Sequence, residues 1–246
     1  IEGSRGCLGA CNFCSVNPQL HDGKAIWRGK SPEKIAHEYQ AIKSFDPDVH
    51  QIRFVDTDFI GSSKQAERIT ELARFLLKVG ASREDVKYFV ETQSVNALSV
   101  KPETWLSLVE IGLHNVFFGI ERGDEAGKKR IGKRSSIEDD KNALTYLRGF
   151  GINVTYGFIM LDPWTVEEEV RTNISTLMEI GDADLGKFFS EMILNPGTRA
   201  YGRAEKDGLI KNAIHPEEGW EMYSYPLPIR LENYRSIGYE FLVNQE

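Results

Sequence analysis

The strongest constraint on the fold is a regular alternation: short β-prone runs are each followed by a stretch whose apolar residues recur with helical spacing. His50–Phe54, Val86–Val90, Asn115–Ile120, Ile152–Leu161 and Lys187–Leu194 read as strands. After the first, Ile69, Leu72, Ala73, Leu76 and Leu77 fall at i, i+3, i+4, i+7 and i+8, one apolar helical face, which Gly80 ends. Pro102–Ile111, carrying Trp105, Leu106 and Val109, is a helix opened by proline and closed by Gly112. Further helices are predicted at Asp124–Ile131 and at Ser136–Arg148, the latter with Ser136 as N-cap. Val166, Val170, Ile174 and Leu177 mark another. Strands joined through helices of this length run parallel, because parallel neighbours need a crossover rather than a hairpin. One more strand before Cys7 brings the count to six βα units. The pattern alone gives a parallel α/β barrel or an open parallel sheet, and in both the chemistry belongs at the carboxyl ends of the strands.

All three cysteines of the chain, Cys7, Cys11 and Cys14, lie within eight positions of the segment SRGCLGACNFCS. An odd number set so closely does not suit a disulfide framework. Two metal readings remain: a zinc site completed by a fourth ligand such as His21, or an iron–sulfur cluster. Structural zinc sites usually gather two separated ligand pairs, and here there is one clump. On a four-iron cluster, three thiolates leave one iron open to a small molecule. Gly6 and Gly9 let the loop curl tightly. The histidines, His21, His37, His50, His114 and His215, show no ligand spacing of their own.

Composition excludes several classes. With 41% hydrophobic, 11% aromatic and 27% charged residues over 246 positions, the chain has the profile of a globular protein. A net charge of -7 argues against broad nucleic-acid binding, which depends on excess Lys and Arg. No run approaches the roughly 20 apolar residues of a membrane span, and no signal peptide opens the sequence, so a cytoplasmic location is expected. The chain starts at Ile1 rather than Met, which reads as a fragment.

C-x3-C-x2-C with an aromatic residue, Phe13, before the last cysteine resembles the motif of the radical S-adenosylmethionine (SAM) superfamily. The resemblance implies that Cys7, Cys11 and Cys14 hold a [4Fe-4S] cluster whose open iron is chelated by SAM, which is cleaved to a 5′-deoxyadenosyl radical. It also implies a partial (β/α)6 TIM-like barrel over residues 1–210, with an extension over 211–246. Several strand ends match the superfamily. Asp56 and Asp58, in Val55-Asp56-Thr57-Asp58, stand where many members have Gly-Gly-Glu to bind the amino end of SAM. Gly119-Ile120-Glu121-Arg122-Gly123 followed by Ile131-Gly132-Lys133 resembles Gly-Val-Glu-Ser-Gly and Ile-x-Lys, which would set Glu121 facing SAM and Lys133 on its carboxylate. Arg122 departs from the usual small residue. Ile159, in Gly157-Phe158-Ile159-Met160, matches the apolar segment that packs on adenine, although Leu161-Asp162-Pro163-Trp164-Thr165 differs from the commoner Gly-x-Pro-x-x-Thr. Asn195-Pro196-Gly197-Thr198 resembles the Pro-Gly-Thr turn. Glu91, a charge at the end of an otherwise apolar strand, is a further candidate for the cofactor site.

The stretch from Trp27 to Glu33, the end of the strand at Phe54–Asp56 and Ile159–Pro163 most resemble members that carry a cobalamin-binding domain before the motif. This implies methyl transfer or rearrangement on a small-molecule substrate, with cobalamin bound by an upstream domain outside this chain and electrons from a donor such as flavodoxin or ferredoxin. Auxiliary-cluster subfamilies are excluded for this chain, since no cysteine is left over. A methylthiotransferase-like core and a non-catalytic iron–sulfur or zinc protein are the alternatives. The segment from Lys211, with Trp220, Tyr223, Tyr225, Pro226, Pro228 and Tyr234, reads as an aromatic strap across the barrel.

Overall fold

A computed structural model describes residues 1–16, 24–181, 184–210, 213, 214, 222, 223 and 225. Along the chain its elements are β1 (Ser4–Gly6), β2 (Trp27–Gly29), α1 (Pro32–Phe45), β3 (Gln51–Arg53), α2 (Ala66–Lys78), β4 (Lys87–Thr92), α3 (Ser94–Ala97), α4 (Pro102–Glu110) and β5 (Leu113–Glu121). There follow α5 (Glu125–Ile131), α6 (Ile137–Arg148), β6 (Asn153–Phe158), α7 (Glu167–Ile180), α8 (Leu185–Phe188), α9 (Arg199–Lys206), β7 (Ala213–Ile214) and β8 (Met222–Tyr223). The chain forms two compact units. The first comprises Ile1–Leu8, Lys24–Gly119 and Glu138–Tyr156, and the second Gly9–Gly23, Ile120–Ile137 and Gly157–Glu246.

The first unit is built on a sheet in the order β3-β4-β5-β6, with β3–β4 and β4–β5 parallel, as the βα alternation requires. Burial alternates along its strands: Tyr88, Val90 and Thr92 of β4, and Val116 and Phe118 of β5, are buried. Ile69, Leu72, Ala73 and Leu76 of α2 supply the predicted apolar face. Trp105 is also wholly buried, so the core is packed from side chains of strand and helix alike. The other face of the sheet carries Phe89, Glu91, Asn115 and Phe117. Gly112, at φ 111°, turns α4 into β5 where any Cβ would collide with the Val86 carbonyl oxygen, so only glycine fits.

The second unit holds α5, α7, α8 and α9; Ile131 of α5 and Ala200 and Ala204 of α9 join Ile159, Met192, Leu194 and Tyr225 in one apolar cluster, against which Phe13 and Trp164 pack. Tyr225 is buried there, and its hydroxyl donates to the Leu161 carbonyl at 3.2 Å, so this aromatic residue of the extension is a packing residue. The rest of the predicted strap, including Trp220, Pro226, Pro228 and Tyr234, lies outside the described residues, as does His21.

Two expectations are corrected. Lys187–Leu194 is not a continuous strand: the Asp184 side chain accepts from the Lys187 backbone N–H and winds the first half into α8, leaving a single parallel bridge between Leu161 and Glu191. β1 does exist, but it pairs antiparallel with β2 rather than extending the parallel sheet. The segment running alongside β3 is the chain start: Ile1 donates its N–H to Arg53 O and accepts from Val55 N, each at 2.9 Å. Leu106 is exposed, because α4 buries Thr104, Trp105 and Leu108 instead.

Candidate functional site

Cys7 follows directly from β1 in the first unit, and the segment before it is fastened to the exit of β3. Asp56 accepts from Gly3 N at 2.9 Å and from the Ser4 hydroxyl. That hydroxyl lies 3.0 Å from the Asp58 carbonyl, and Thr57 Oγ1 donates to the Gly6 carbonyl at 2.9 Å. Val55-Asp56-Thr57-Asp58 thus grips the residues on the N-terminal side of Cys7. Asp56 is buried, and burial raises its pKa above the usual value, opposed by the bonds from Ser4 and Gly3.

Asp58 is wholly buried among donors. Its Oδ1 accepts from Gly61 N at 3.1 Å and Thr92 Oγ1 at 2.7 Å, and its Oδ2 from Gln93 Nε2 at 2.8 Å and Asn96 Nδ2 at 2.9 Å. The Gln93 nitrogen also lies 3.4 Å from Cys7 Sγ. Glu91, two residues earlier, is turned elsewhere. Its carboxylate pairs with Arg53 and lines a cavity of about 200 Å³ on the sheet, shared with Phe89, Asn115, Phe117 and Thr155.

Cys11 and Cys14 belong to the second unit. Asn12, between them, donates its backbone N–H to Ile131 O and its side chain to Arg130 O, both at 2.8 Å, and its carbonyl accepts from Ala200 N at 2.9 Å. The Arg199 guanidinium bonds the Ala10 carbonyl. Gly132, at φ 75°, lies so close that a Cβ there would sit 2.9 Å from Ala10 O. The loop is therefore seated on the end of α5 and the start of α9. Burial raises the Cys11 pKa, with Glu121 and Cys14 acting the same way and Lys133 opposing them.

Glu121 is the one non-glycine residue with positive φ, 68°, among the described residues. Arg122 N donates to Ile120 O at 2.9 Å, closing a three-residue turn around it, and Glu121 O accepts from Ile159 N at 2.6 Å. A strained backbone at the end of a strand marks a position held for its side chain. Arg122, unexpected by resemblance, is wholly buried, with its guanidinium bonded to Asp124 at 2.8 Å, Met160 O at 3.0 Å, Thr165 Oγ1 at 3.1 Å and Glu169 at 3.3 Å. Arg130 joins the same carboxylates, with Glu169 Oε1 at 2.6 Å and Asp162 Oδ2 at 3.0 Å. Phe13 and Ile159 share one apolar cluster.

None of the cysteines is in a disulfide. Among the described residues no three His, Cys, Asp or Glu side chains converge as on a single ion. Cysteine thiolates are the usual protein ligands of iron–sulfur clusters, so Cys7, Cys11 and Cys14 are the residues that would hold one. No helix among the described residues is long and apolar enough to cross a membrane. Sequence reasoning missed Gln93, Thr57 and Asn12. Their only signal was position: Gln93 and Thr57 lie at strand ends and Asn12 lies within the motif.

The strand–helix alternation, with three cysteines close to the first strand, is matched by a known family. The chain belongs to the Radical SAM superfamily, whose profile matches residues 1–174; members of this superfamily bind a [4Fe-4S] cluster and SAM. It is 28% identical over 234 residues to an uncharacterised methyltransferase of Pyrococcus horikoshii, covering 95% of this chain and 47% of that protein. It is 29% identical to the hopanoid C-3 methylase of Methylococcus capsulatus over 167 residues, covering 68% of this chain and 30% of that one. This chain therefore spans less than half the length of these curated relatives. Its fold is that of the cobalamin-dependent S-adenosylmethionine radical enzyme OxsB, solved with aqua-cobalamin and S-adenosylmethionine bound: TM-score 0.75, 20% identity, 99% of this chain and 41% of that one.

Proposed function

We propose that this chain is the core of a cytoplasmic radical SAM enzyme that reductively cleaves SAM at a [4Fe-4S] cluster held by Cys7, Cys11 and Cys14. The reaction served is methyl transfer or rearrangement on a small molecule, with cobalamin bound by a domain outside this chain and electrons from flavodoxin or ferredoxin. Residues 1–210 are the catalytic core and 211–246 its extension. When bound, the cluster supplies one electron to the sulfonium of SAM and breaks a C–S bond.

What supports this reading is the three-cysteine motif in a chain of the Radical SAM superfamily; Glu121, at the strained turn that ends β5, and Lys133 are an anion and a cation suited to the ammonium and carboxylate of an amino acid. Phe13 and Ile159 supply an apolar surface for adenine. Asp56 and Asp58 have their carboxylate oxygens engaged by the protein, so their role is to fix the segment before Cys7 and the Gln93 side chain rather than to touch SAM. Glu91, paired with Arg53 in the sheet cavity, is assigned to substrate or structure rather than to SAM.

The test is anaerobic reconstitution of the complete protein with iron, sulfide, reductant, SAM and cobalamin. The expected products are 5′-deoxyadenosine, S-adenosylhomocysteine and a methylated compound, and each of Cys7→Ala, Cys11→Ala and Cys14→Ala should lose most bound iron together with 5′-deoxyadenosine release. A fully loaded protein that releases no 5′-deoxyadenosine overturns SAM cleavage. One that releases it without S-adenosylhomocysteine or a methylated product overturns methyl transfer.

A further inference from the structure

Gln93 stands between β4 and α3 with its backbone fixed: its carbonyl accepts from Asn96 N at 3.0 Å and Ala97 N at 3.1 Å, opening α3. Its side chain is fixed as well. Asp58 already receives Thr92, the Gly61 backbone N–H and Asn96, and a carboxylate so surrounded is an acceptor only. The Gln93 atom facing it at 2.8 Å is therefore the amide nitrogen, an assignment made by the partner's chemistry rather than by the shape of the side chain. That nitrogen carries two hydrogens. One points at Asp58, and the second is left for Cys7 Sγ at 3.4 Å, an ordinary length for a bond to sulfur.

We infer that Gln93 is a positioning residue that donates an N–H to the Cys7 sulfur and thereby raises the reduction potential of the cluster that Cys7 holds; this rests on the function proposed above. A donor on a ligand sulfur stabilises the more negative, reduced state, which is one of the levers by which proteins set iron–sulfur potentials. Asp58, through its grip on the same amide, keeps the donor aimed. An amide does not titrate, so the contribution is constant with pH.

The experiment is an anaerobic redox titration of the reconstituted holoprotein, followed by the electron paramagnetic resonance of the reduced cluster, for the unsubstituted chain, Gln93→Leu and Gln93→Met. At the potential where the unsubstituted cluster is half reduced, both variants should show a reduced-to-oxidised ratio lower by up to about tenfold, equivalent to about 59 mV for one electron. Iron content should be unchanged, and the shift should be the same at two pH values. Unchanged ratios with full iron content overturn the inference. A second measurement needs no substitution: with glutamine side chains labelled with 15N, the spin-echo spectrum of the reduced cluster should show a weak nitrogen coupling, and its absence overturns the inference equally. Failure of the unsubstituted protein to bind iron at all would instead count against the proposed function.

Discussion

Replacing Glu121 by glycine separates two things that this position does at once. With φ at 68°, a residue bearing a Cβ costs about 1–2 kcal/mol relative to an ordinary conformation. Glycine removes that cost but adds about 0.4–1 kcal/mol of backbone freedom to the unfolded chain. The fair comparison is with Glu121→Ala, which keeps the strain and equally lacks the carboxylate. Glu121→Gly should then be the more stable of the two by about 1 kcal/mol, or about 2–4 °C in melting temperature for a chain of this size. Both variants should bind SAM about 10- to 100-fold more weakly, the worth of one charge-assisted hydrogen bond of about 1.5–3 kcal/mol. Thermal melts of the apo-protein and equilibrium binding of SAM to the reconstituted protein read the two effects separately. If the glycine variant melts no higher than the alanine variant, the turn holds no strain. If both bind SAM normally, the strain does not serve the carboxylate.

Two further perturbations follow from the hydrogen bonds. Burial pushes the Glu169 pKa up, but the bonds and charge of Arg130, with Val166 N–H and Arg122, outweigh it and hold the group below its ordinary 4.5. A depressed carboxylate gives stability that is complete above pH 4.5 and lost as the pH falls through its lower folded value, so melting temperature should drop more steeply below pH 4.5 for the native chain than for Glu169→Gln; parallel curves refute this. Asp56→Ala leaves the buried Gly3 N–H without its acceptor, at about 1–3 kcal/mol, while the Ser4 hydroxyl turns to the Asp58 carbonyl. The melting temperature should fall by several degrees and iron retention should fall with it; retention of both properties would show that this carboxylate does not hold the segment before Cys7.

The elements most legible in the sequence are those whose signal is local. Ile69, Leu72, Ala73 and Leu76 announce α2, and Gly80 and Gly112 end helices at positive φ. The KFFSEMIL run misleads because its apolar content fits a strand, whereas Asp184, before the run, closes a helical turn onto Lys187. At the site, the spacing of the three cysteines carries the resemblance to the superfamily. Gln93 is not legible in the sequence, because what makes it matter is a carboxylate 35 positions earlier and a sulfur 86 positions earlier. The same holds for Asp56 and Asp58: resemblance gives their place at the end of a strand, but only the partners Gly3, Ser4, Thr92 and Gln93 show where their oxygens go.

Arg122 explains why the strain at Glu121 persists. The turn could relax only if Arg122 moved, since its N–H closes the turn onto Ile120 O. Its guanidinium, however, is wholly buried and bonded to Asp124, Glu169, Thr165 and the Met160 carbonyl. Pulling a buried charge from its partners costs about 3–5 kcal/mol, more than the roughly 1–3 kcal/mol stored in one strained residue. On the other side Glu121 O is held by Ile159 N. A network of this kind adds little net stability, because desolvation of two arginines and three carboxylates offsets most of their attraction. What it does supply is rigidity: the backbone on both sides of Glu121 is fixed more firmly than the strain can push, and Glu121 is held in a conformation the chain would not otherwise adopt.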